Sequence, residues 1–383
     1  MKIYIISRGY PTQDDPQWGC FEKDQAIALQ KLGHEIIFLS LDRRFSKKNI
    51  LKKGVFYKKE NHFHIYNYKT IIPGALLQYI SEECFCNYYS LKLLDLFEHV
   101  VREQGLPDIL FVHYLSNIAF AKKIKEKYHI PVVGMEHWSV INQNPLPKYV
   151  LNRGRIAYTV PDMLLSVSNS LHNRIKTVWN KDSIVVHNMV GGEFEYKVLK
   201  KKSSDFQFVS IGSLIHRKGF DLLIEAFSQT GLKDKKVRLI IIGEGKDKLK
   251  LQTLIKNKGL DSNVELVGSK NKAEIVDLLL QSDAFVLPSR SETFGVVYIE
   301  AMMLGLPVIG TICGGPEEFI TEQNGILINS EDMKALSKAL QSMYNNISFY
   351  DKEKIVVECR NNFSPSVISQ QLIEIFNKVT NKR

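Results

Sequence analysis

Short apolar runs rich in β-branched residues alternate with helical segments along almost the whole chain, beginning with Lys2–Ser7. Most of these runs are apolar throughout rather than at every second residue, as is typical of parallel strands covered by helices on both faces. The alternation therefore predicts an α/β fold built from βαβ units. The further predicted strands are 35–40, 109–113, 132–135, 164–168, 184–187, 206–213, 237–243, 264–268, 284–289, 307–310 and 325–328.

The length of 383 residues favours two domains, because a single hydrophobic core stops growing at roughly 250–300 residues. The series of strands starts again after Gly191-Gly192, before the charged segment 197–202. We therefore predict two Rossmann-like domains, 1–190 and 191–365, whose parallel sheets face each other across a cleft. The last predicted helix could pack on either domain by its sequence, and we place 366–383 on the first.

The positive charge of the chain lies mostly in its first half. Residues 1–190 contain 25 Lys and Arg against 17 Asp and Glu, which accounts for +8 of the net +10. Eight cations fall within 43–59, interleaved with apolar and aromatic residues, and an apolar stretch follows at 71–77. Two readings stay open: a patch that docks on anionic lipid, or a solvated insertion between strands. For the first reading we select Lys47, Lys48, Lys52 and Lys53 as acceptor or membrane contacts.

Other features of the sequence limit the class of protein. The five cysteines are irregularly spaced and form neither a zinc pattern nor a redox motif, which indicates reduced thiols. The first apolar run ends at Ser7-Arg8, too early for a secretory signal. No apolar stretch approaches the length of a spanning helix. We therefore expect a cytoplasmic protein that can associate peripherally with the inner face of the cell membrane.

The segment 288–301 carries the strongest local signal for a binding site. An apolar strand is followed by a polar loop with Glu292, and a helix begins near Gly295. The free N–H groups and the dipole at a helix start favour an anion such as a diphosphate. Glu300, about a turn and a half into the helix, can accept two hydroxyl groups, as a ribose offers. The alternative is that both glutamates are ordinary surface charges.

A second strand-turn-helix segment, 208–221, contains Gly212 in its turn and Arg217 and Lys218 before its helix. In an open α/β sheet the ligand crevice lies off the carboxyl ends of the strands, so both segments are expected on one edge of the second domain. Two cations there can neutralise the charge of a departing phosphate. Without the other segment, Arg-Lys-Gly would be an unremarkable exposed turn.

The first domain offers Gly19, just before its first helix, and two histidines at the ends of predicted strands, His113 and His137. A single histidine is more often structural, but two on one edge favour a functional role for His137. Glu136 is the one carboxylate of this domain that we single out for testing. No Asp-x-Asp pair, GxGxxG fingerprint or P-loop lysine motif occurs. Neither a bound metal nor a dinucleotide cofactor is therefore expected.

Taken together, these residues resemble the retaining nucleotide-sugar glycosyltransferases of family 4 (glycosyl transferases group 1), which have the two-domain GT-B fold. The most specific match is the E-x7-E element from Glu292 to Glu300, followed by AMMLGLPVI at 301–309. Supporting matches are GHEI at 33–36, VSNSL at 167–171, His187-Asn188, GGPEE at 314–318 and Asn324-Gly325. The resemblance covers nearly the whole chain.

The resemblance implies roles for individual residues. Glu300 would bind the donor ribose, Glu292 the sugar hydroxyls, and Lys218 with the amides after Gly295 the diphosphate. His137 would lie beside the transferred sugar. We expect His137, Lys218 and Glu292 to be catalytic, and the donor to be bound by Gly19, Gly212, Arg217, Lys218, Thr293, Phe294, Gly295, Val296 and Glu300.

The chain departs from the family pattern at Ser213, where the family often has a phosphate-binding arginine. We hypothesise that Arg217 takes its place. The implied reaction moves a glycosyl group from a UDP- or GDP-type sugar, without a metal, to a saccharide or lipid-linked saccharide. Bacterial surface polysaccharide assembly (capsule, lipopolysaccharide or exopolysaccharide) is the expected setting.

The alternatives to this reading are a sugar-nucleotide epimerase of the same fold, a non-catalytic nucleotide-binding protein and a dinucleotide-dependent dehydrogenase. A nucleic-acid partner is not expected, because no recognised motif accompanies the basic region.

Overall fold

The computed structural model describes residues 1–12, 18–42, 54–60, 63–69, 81–194 and 205–381. The chain forms two compact units. The first unit comprises Met1–Met189 and Pro365–Arg383, and the second comprises Val190–Ser364. The four lysines selected at 47–53 and the apolar stretch 71–77 lie outside the described residues.

The first unit is built on an eight-stranded sheet with the strand order β3-β4-β2-β1-β5-β6-β7-β8. Every neighbouring pair is parallel except β3 and β4. The central strands β1 and β5 are almost fully buried, which explains their continuous apolar sequences. The strands are β1 Lys2–Ser7, β2 Glu35–Asp42, β3 Gly54–Glu60, β4 Phe63–Lys69, β5 Ile109–His113, β6 Val132–Glu136, β7 Met163–Ser166 and β8 Ile184–Val185.

Helices cover this sheet, and the last helix of the chain is one of them. The ring of Phe376, on that helix, lies 5.1 Å from the ring of Phe111 on β5, so the helix completes the core of the first unit. The helices of the unit are Cys20–Lys31, Glu82–Gln104, Leu115–Phe120, Lys122–Tyr128, Lys148–Ala157, Asn169–Trp179 and Pro365–Thr380, with a 3-10 turn at Ser139–Asn142.

The second unit has a six-stranded sheet in the order β11-β10-β9-β12-β13-β14, in which all neighbouring strands are parallel. The strands are β9 Phe206–Ile211, β10 Val237–Ile242, β11 Val264–Leu266, β12 Ala284–Val286, β13 Val308–Ile312 and β14 Gly325–Asn329. The helices are Phe220–Ser228, Lys248–Asn257, Lys272–Leu280, Val296–Met303, Met333–Asn345 and Lys352–Phe363, and 3-10 turns lie at His216–Lys218, Leu232–Asp234, Pro316–Glu318 and Ile347–Phe349.

The chain enters and leaves the second unit at one place. The backbone N–H of Val190 donates to the carbonyl oxygen of Phe363 at 3.2 Å, and the two chain crossings follow Met189 and Ser364. The second unit is therefore an uninterrupted segment inserted into the sequence of the first.

The predicted α/β class with two parallel sheets is confirmed, but two strands were missed. Residues 54–59, which we had included in the basic region, form most of β3, an edge strand paired antiparallel with β4. Tyr57, Lys58 and Lys59 are exposed on it. Lysines on an edge strand disfavour pairing with other chains, and their charge hid the strand in the sequence. In the part of the chain that is described, no helix combines the length and apolar character needed to cross a membrane.

Candidate active site

Two loops of the second unit meet because they follow neighbouring strands. The β9 loop (residues 212–219) follows β9, and the β12 loop (residues 287–295) follows β12, which pairs directly with β9. Both loops therefore lie at the carboxyl edge of the sheet, where open α/β sheets bind their ligands. The strand order also reverses at this point, since β10 and β11 lie on one side and β13 and β14 on the other.

A partly buried ion cluster joins the two loops. The ammonium of Lys218 donates to Glu292 Oε1 at 2.5 Å, and Nη1 of Arg217 lies 3.6 Å from Glu292 Oε2. Ser289 Oγ donates to the same carboxylate at 2.6 Å, and Arg217 Nη1 also donates to the carbonyl of Ser291 at 2.8 Å. A Cβ atom at Gly212 would lie 3.5 Å from the aliphatic stem of Lys218. The structure thus brings together the two cations and the first glutamate that the sequence selected.

The charge state of Glu292 follows from these contacts. Its burial would by itself raise the pKa, but Lys218, Arg217 and the hydrogen bonds from Lys218 and Ser289 lower the pKa below its usual value. Glu292 is therefore a carboxylate at neutral pH, able to accept hydrogen bonds from hydroxyl groups.

Arg290 connects the β12 loop to the helix that follows the β9 loop, a contact that we did not predict. Its guanidinium makes a two-pronged contact with Asp221, at 2.8 and 2.9 Å, and donates to the carbonyl of His216 at 2.6 Å. Its backbone N–H donates to the carbonyl of Arg217 at 2.8 Å, and its Nε contacts Glu331. These contacts fix Arg217 and Lys218 relative to the β12 loop. Arg290 and Asp221 lie in the two segments selected from the sequence, 288–301 and 208–221, but the sequence alone did not predict that they form a pair.

Gly219 permits a close approach of the two loops. Its φ of +70° is left-handed, and a Cβ atom there would lie 2.0 Å from the carbonyl oxygen of Pro288. Only glycine combines this backbone angle with so short a separation. Gly219 is also the residue from which the helix Phe220–Ser228 starts.

The helix Val296–Met303 begins at the end of the β12 loop. Its N-cap, Gly295, has no side chain to satisfy the first N–H groups, which suits an anion at this end. Glu300 lies in the second turn and is partly buried, and Val296 is also partly buried. Thr293 is buried. Phe294 packs against the rings of Phe319 and Phe363, at 5.4 and 5.7 Å, so its side chain belongs to the core.

In the first unit, His137 and His113 form a buried pair. Nδ1 of His113 and Nε2 of His137 are 3.0 Å apart and share a hydrogen bond. Burial, with Arg8 as a further cause, lowers the pKa of His137 to about 3, and a hydrogen bond with Asn188 opposes this shift. Burial and the neighbouring His137 lower the pKa of His113 as well. Both imidazoles are therefore neutral at physiological pH.

Glu136, which the sequence singled out as a carboxylate to test, is placed as a support for the adjacent loop. Its Oε1 accepts from the N–H groups of His137 and Trp138 at 3.0 and 2.9 Å. Its Oε2 accepts from the Tyr158 hydroxyl at 3.0 Å, and burial raises its pKa to about 7. These contacts orient His137 rather than expose a reactive carboxylate.

Gly19 lies next to the segment that follows β1. It precedes the helix Cys20–Lys31 with a left-handed φ of +84°, and a Cβ atom there would lie 2.0 Å from the carbonyl oxygen of Gly9. Gly19, predicted to bind the donor, and His137, predicted to be catalytic, are in the first unit, whereas the other predicted catalytic and donor-binding residues are in the second.

A family model matches most of the second unit. Residues 193–355 match the model of a family described as Glycosyl transferases group 1. This segment is therefore similar to that family. The resemblance recognised in the sequence is therefore confirmed, and with it a glycosyltransferase activity is supported.

Relatives extend the similarity to the whole chain. The putative teichuronic acid biosynthesis glycosyltransferase TuaC of Bacillus subtilis is 28% identical over 363 residues, which cover 89% of this chain and 88% of TuaC. The N-acetyl-alpha-D-glucosaminyl L-malate synthase of Bacillus anthracis is 25% identical over 393 residues, with 97% and 96% covered. The relatives of this chain thus include a protein named for polysaccharide biosynthesis.

Solved structures show that the fold is GT-B. The sucrose-phosphate synthase of Thermosynechococcus elongatus aligns with a TM-score of 0.79 at 17% identity, covering 100% of both chains. Anabaena HepE in complex with UDP aligns with a TM-score of 0.74 at 17% identity, covering 99% of this chain and 100% of HepE. At a sequence identity of 17%, the similarity to these structures supports the architecture alone.

Proposed function

We propose that this glycosyltransferase moves a sugar from a nucleoside diphosphate sugar, with retained configuration, to a saccharide or lipid-linked saccharide of a surface polysaccharide. The observation that carries the proposal is the contact of Lys218 and Arg217 with Glu292 beside the helix start at Gly295. Cations and free amides suit a diphosphate, and a carboxylate between them suits the hydroxyls of a sugar.

The proposed roles follow from the chemistry of each group. Lys218, Arg217 and the amides after Gly295 stabilise the negative charge that grows on the leaving diphosphate. Because these groups supply the positive charge, we propose a reaction without a metal ion. Glu292 is ionised and accepts hydrogen bonds from sugar hydroxyls, and Glu300 accepts them from the ribose.

His137 is proposed to contact the transferred sugar as a neutral imidazole. Its pKa of about 3 leaves it uncharged throughout the physiological range. A neutral ring can exchange hydrogen bonds with hydroxyl groups without adding positive charge beside an oxocarbenium-like transition state. Glu136 holds the backbone of this residue in place.

A donor panel tests the proposal. Thermal unfolding is followed with UDP, GDP, ADP, their sugar conjugates and NAD, on the wild type, Glu300→Ala and the control Glu322→Ala, which alters an exposed glutamate. A ligand at about 100 times its Kd adds roughly 2.7 kcal/mol to the free energy of unfolding, a shift of a few degrees. We expect a shift with one nucleotide class that Glu300→Ala loses and Glu322→Ala keeps.

Other results would contradict the proposal. A shift with NAD alone, or one that Glu300→Ala leaves intact, would mean that the donor is not bound as proposed. Incubation of the matching sugar nucleotide without acceptor separates transfer from epimerisation, because only an epimerase yields a new sugar nucleotide. NMR of the transferred anomeric centre tests retention directly.

We also propose that the basic region contacts an anionic membrane surface, on the evidence of its sequence and of the exposed Lys58 and Lys59 on β3. Joint neutralisation of the four lysines at 47, 48, 52 and 53 should weaken binding to anionic liposomes, because each basic residue near the surface adds about 1 kcal/mol. Neutralising the exposed lysines 233, 236, 246 and 256 of the second unit is the matched control. Equal partitioning of both variants at low salt would exclude a specific role for this region.

A further inference from the structure

Arg8 is a cation of the first unit to which the proposed mechanism gives no role. It follows β1 directly, at the carboxyl edge of the sheet. Its guanidinium carbon lies 3.9 Å from the ring centroid of Tyr114 and 4.8 Å from that of Trp18. Two aromatic faces therefore fix the plane of the guanidinium, as in sites where arginine recognises a planar anion.

The aromatic partners are themselves held in place. Trp18 Nε1 donates to the carbonyl of Arg8 at 3.0 Å, which ties the ring to the backbone of the residue that it covers. Tyr114 has a φ of +69°, an angle that non-glycine residues seldom adopt, and its side chain is buried. Such strain persists where the surroundings enforce it, and it concentrates at binding and catalytic sites.

Compared with the buried carboxylates and histidines near it, Arg8 carries the charge that solvent can reach. Glu22 is fully buried and forms an ion pair with Arg8, with 3.7 Å between its Oε1 and Arg8 Nε. Burial raises the pKa of Glu22, a shift that Arg8 opposes, and burial also raises the pKa of Glu136, while His113 and His137 are neutral. Arg8, by contrast, keeps a quarter of its side chain exposed, at 25%.

The location of Arg8 relates it to the acceptor rather than to the donor diphosphate. The Tyr114 ring that covers Arg8 lies 5.0 Å from the ring of His137, the residue proposed to contact the transferred sugar. The cations proposed for the diphosphate, Lys218 and Arg217, are in the second unit. An arginine of the first unit, next to the residue proposed to contact the transferred sugar, is placed to select what receives the sugar.

We propose that Arg8 binds an oxyanion of the acceptor, a carboxylate or a phosphate, and so makes the enzyme selective for acidic acceptors. This inference rests on the proposed function, since it concerns the acceptor of that reaction. Glu22 is a fully buried partner of Arg8 and does not contact the acceptor.

The test measures binding of a matched pair of probes, methyl glucuronide and methyl glucoside. They differ at C6, where the glucuronide has a carboxylate and the glucoside a hydroxymethyl group. Inorganic phosphate is a third probe, and UDP reports on donor binding separately. Each is titrated by calorimetry into the wild type, Arg8→Gln, Arg8→Lys and the control Glu22→Gln, after thermal unfolding has shown that each variant is folded. A charge-assisted hydrogen bond leads us to expect a roughly tenfold to hundredfold preference for an anionic probe in the wild type.

The expected result is that Arg8→Gln abolishes this preference and Glu22→Gln keeps it. Arg8→Lys should retain part of it, because the charge remains without the flat guanidinium. The preference should also weaken as salt is raised. Whether the glucuronide or phosphate binds better then distinguishes a carboxylate from a phosphate on the acceptor.

Three outcomes would overturn the inference: no charge preference in the wild type, equal losses in Arg8→Gln and Glu22→Gln, or a loss of UDP binding in Arg8→Gln. The second would make Arg8 and Glu22 a structural ion pair, and the third would assign Arg8 to the donor. A wild type that prefers the anionic probe but binds no nucleotide would leave the anion site intact and refute the proposed function instead.

Discussion

Gly219→Ala is expected to separate the two loops of the candidate active site. The added Cβ atom would lie 2.0 Å from the carbonyl oxygen of Pro288, whereas real Cβ contacts essentially never fall below 3.0 Å. The loops must therefore move apart by about 1 Å, or the helix start must change. A control is available in Gly231, of the same unit, whose φ of +67° matches the +70° of Gly219 and whose Cβ position is open.

The two variants share one cost and differ in another. A left-handed alanine costs roughly 1–2 kcal/mol in both, which corresponds to a few degrees in Tm. Gly219→Ala adds the steric conflict, about 1–3 kcal/mol by analogy with overpacked sites. Because a misplacement of 1 Å can cost about 100-fold in rate, we expect kcat/KM for the donor to fall about that much in Gly219→Ala and to change little in Gly231→Ala.

Thermal unfolding and initial rates with a saturating acceptor measure both effects. If the two variants lose the same stability and the same activity, the approach of the β9 loop to Pro288 has no special role. If Gly219→Ala loses stability alone, the position of Lys218 does not depend on this contact. Either result would refute the reasoning.

Three further predictions concern other contacts. Asp221→Ala should lower the free energy of unfolding by about 2 kcal/mol, because it removes the two-pronged partner of the largely buried Arg290, and should raise KM for the donor. The double exchange Asp221→Arg with Arg290→Asp should restore part of both the stability and the KM. A full rescue of stability with no rescue of KM would contradict a positioning role. His137→Gln should reduce the loss of stability at acid pH. The pKa of His137 falls from 6.5 in the unfolded chain to about 3 in the folded protein. Its contribution to the free energy of unfolding is therefore complete above pH 6.5 and is lost as pH falls, by about 1.4 kcal/mol per pH unit for one proton. Denaturant titrations from pH 7 to 4 would show equal slopes in both proteins if this is wrong. The carbonyl oxygen of Cys313 accepts the backbone N–H of Glu292 at 3.1 Å, so the loop at residues 313–315 supports the β12 loop. Glu317→Ala removes the acceptor of three backbone N–H groups of that loop and should weaken nucleotide binding more than stability, as calorimetry with the preferred nucleotide can show.

The sequence predicted the buried parallel strands well because their physics is local. A strand covered on both faces, such as β5, is apolar throughout, and no knowledge of its neighbours is needed to recognise it. β3 and β4 were missed for the opposite reason. On β4, Phe63, Ile65 and Tyr66 are buried but are separated and followed by polar residues, and the surrounding lysines led us to weigh charge rather than apolar character.

The candidate site shows the same division. Lys218 and Glu292 could be selected because each follows a recognisable strand, and neighbouring strands bring their loops together. The pairing of Arg290 with Asp221 spans 69 residues, and that of Arg8 with Tyr114 spans more than 100. Such pairs depend on tertiary packing, for which a single sequence contains no local signal.

The interrupted first unit has a consequence for the order in which the protein matures. During synthesis residues 1–189 leave the ribosome before the second unit, yet the helix Pro365–Thr380 that packs on the first unit is made only after the second. The second unit, an unbroken segment, can reach its native state while the first still lacks one of its layers. Apolar side chains such as Phe111 lack part of their packing until Phe376 has been synthesised. Nascent chains stalled before residue 365 should therefore expose the first unit, and not the second, to chaperones and proteases.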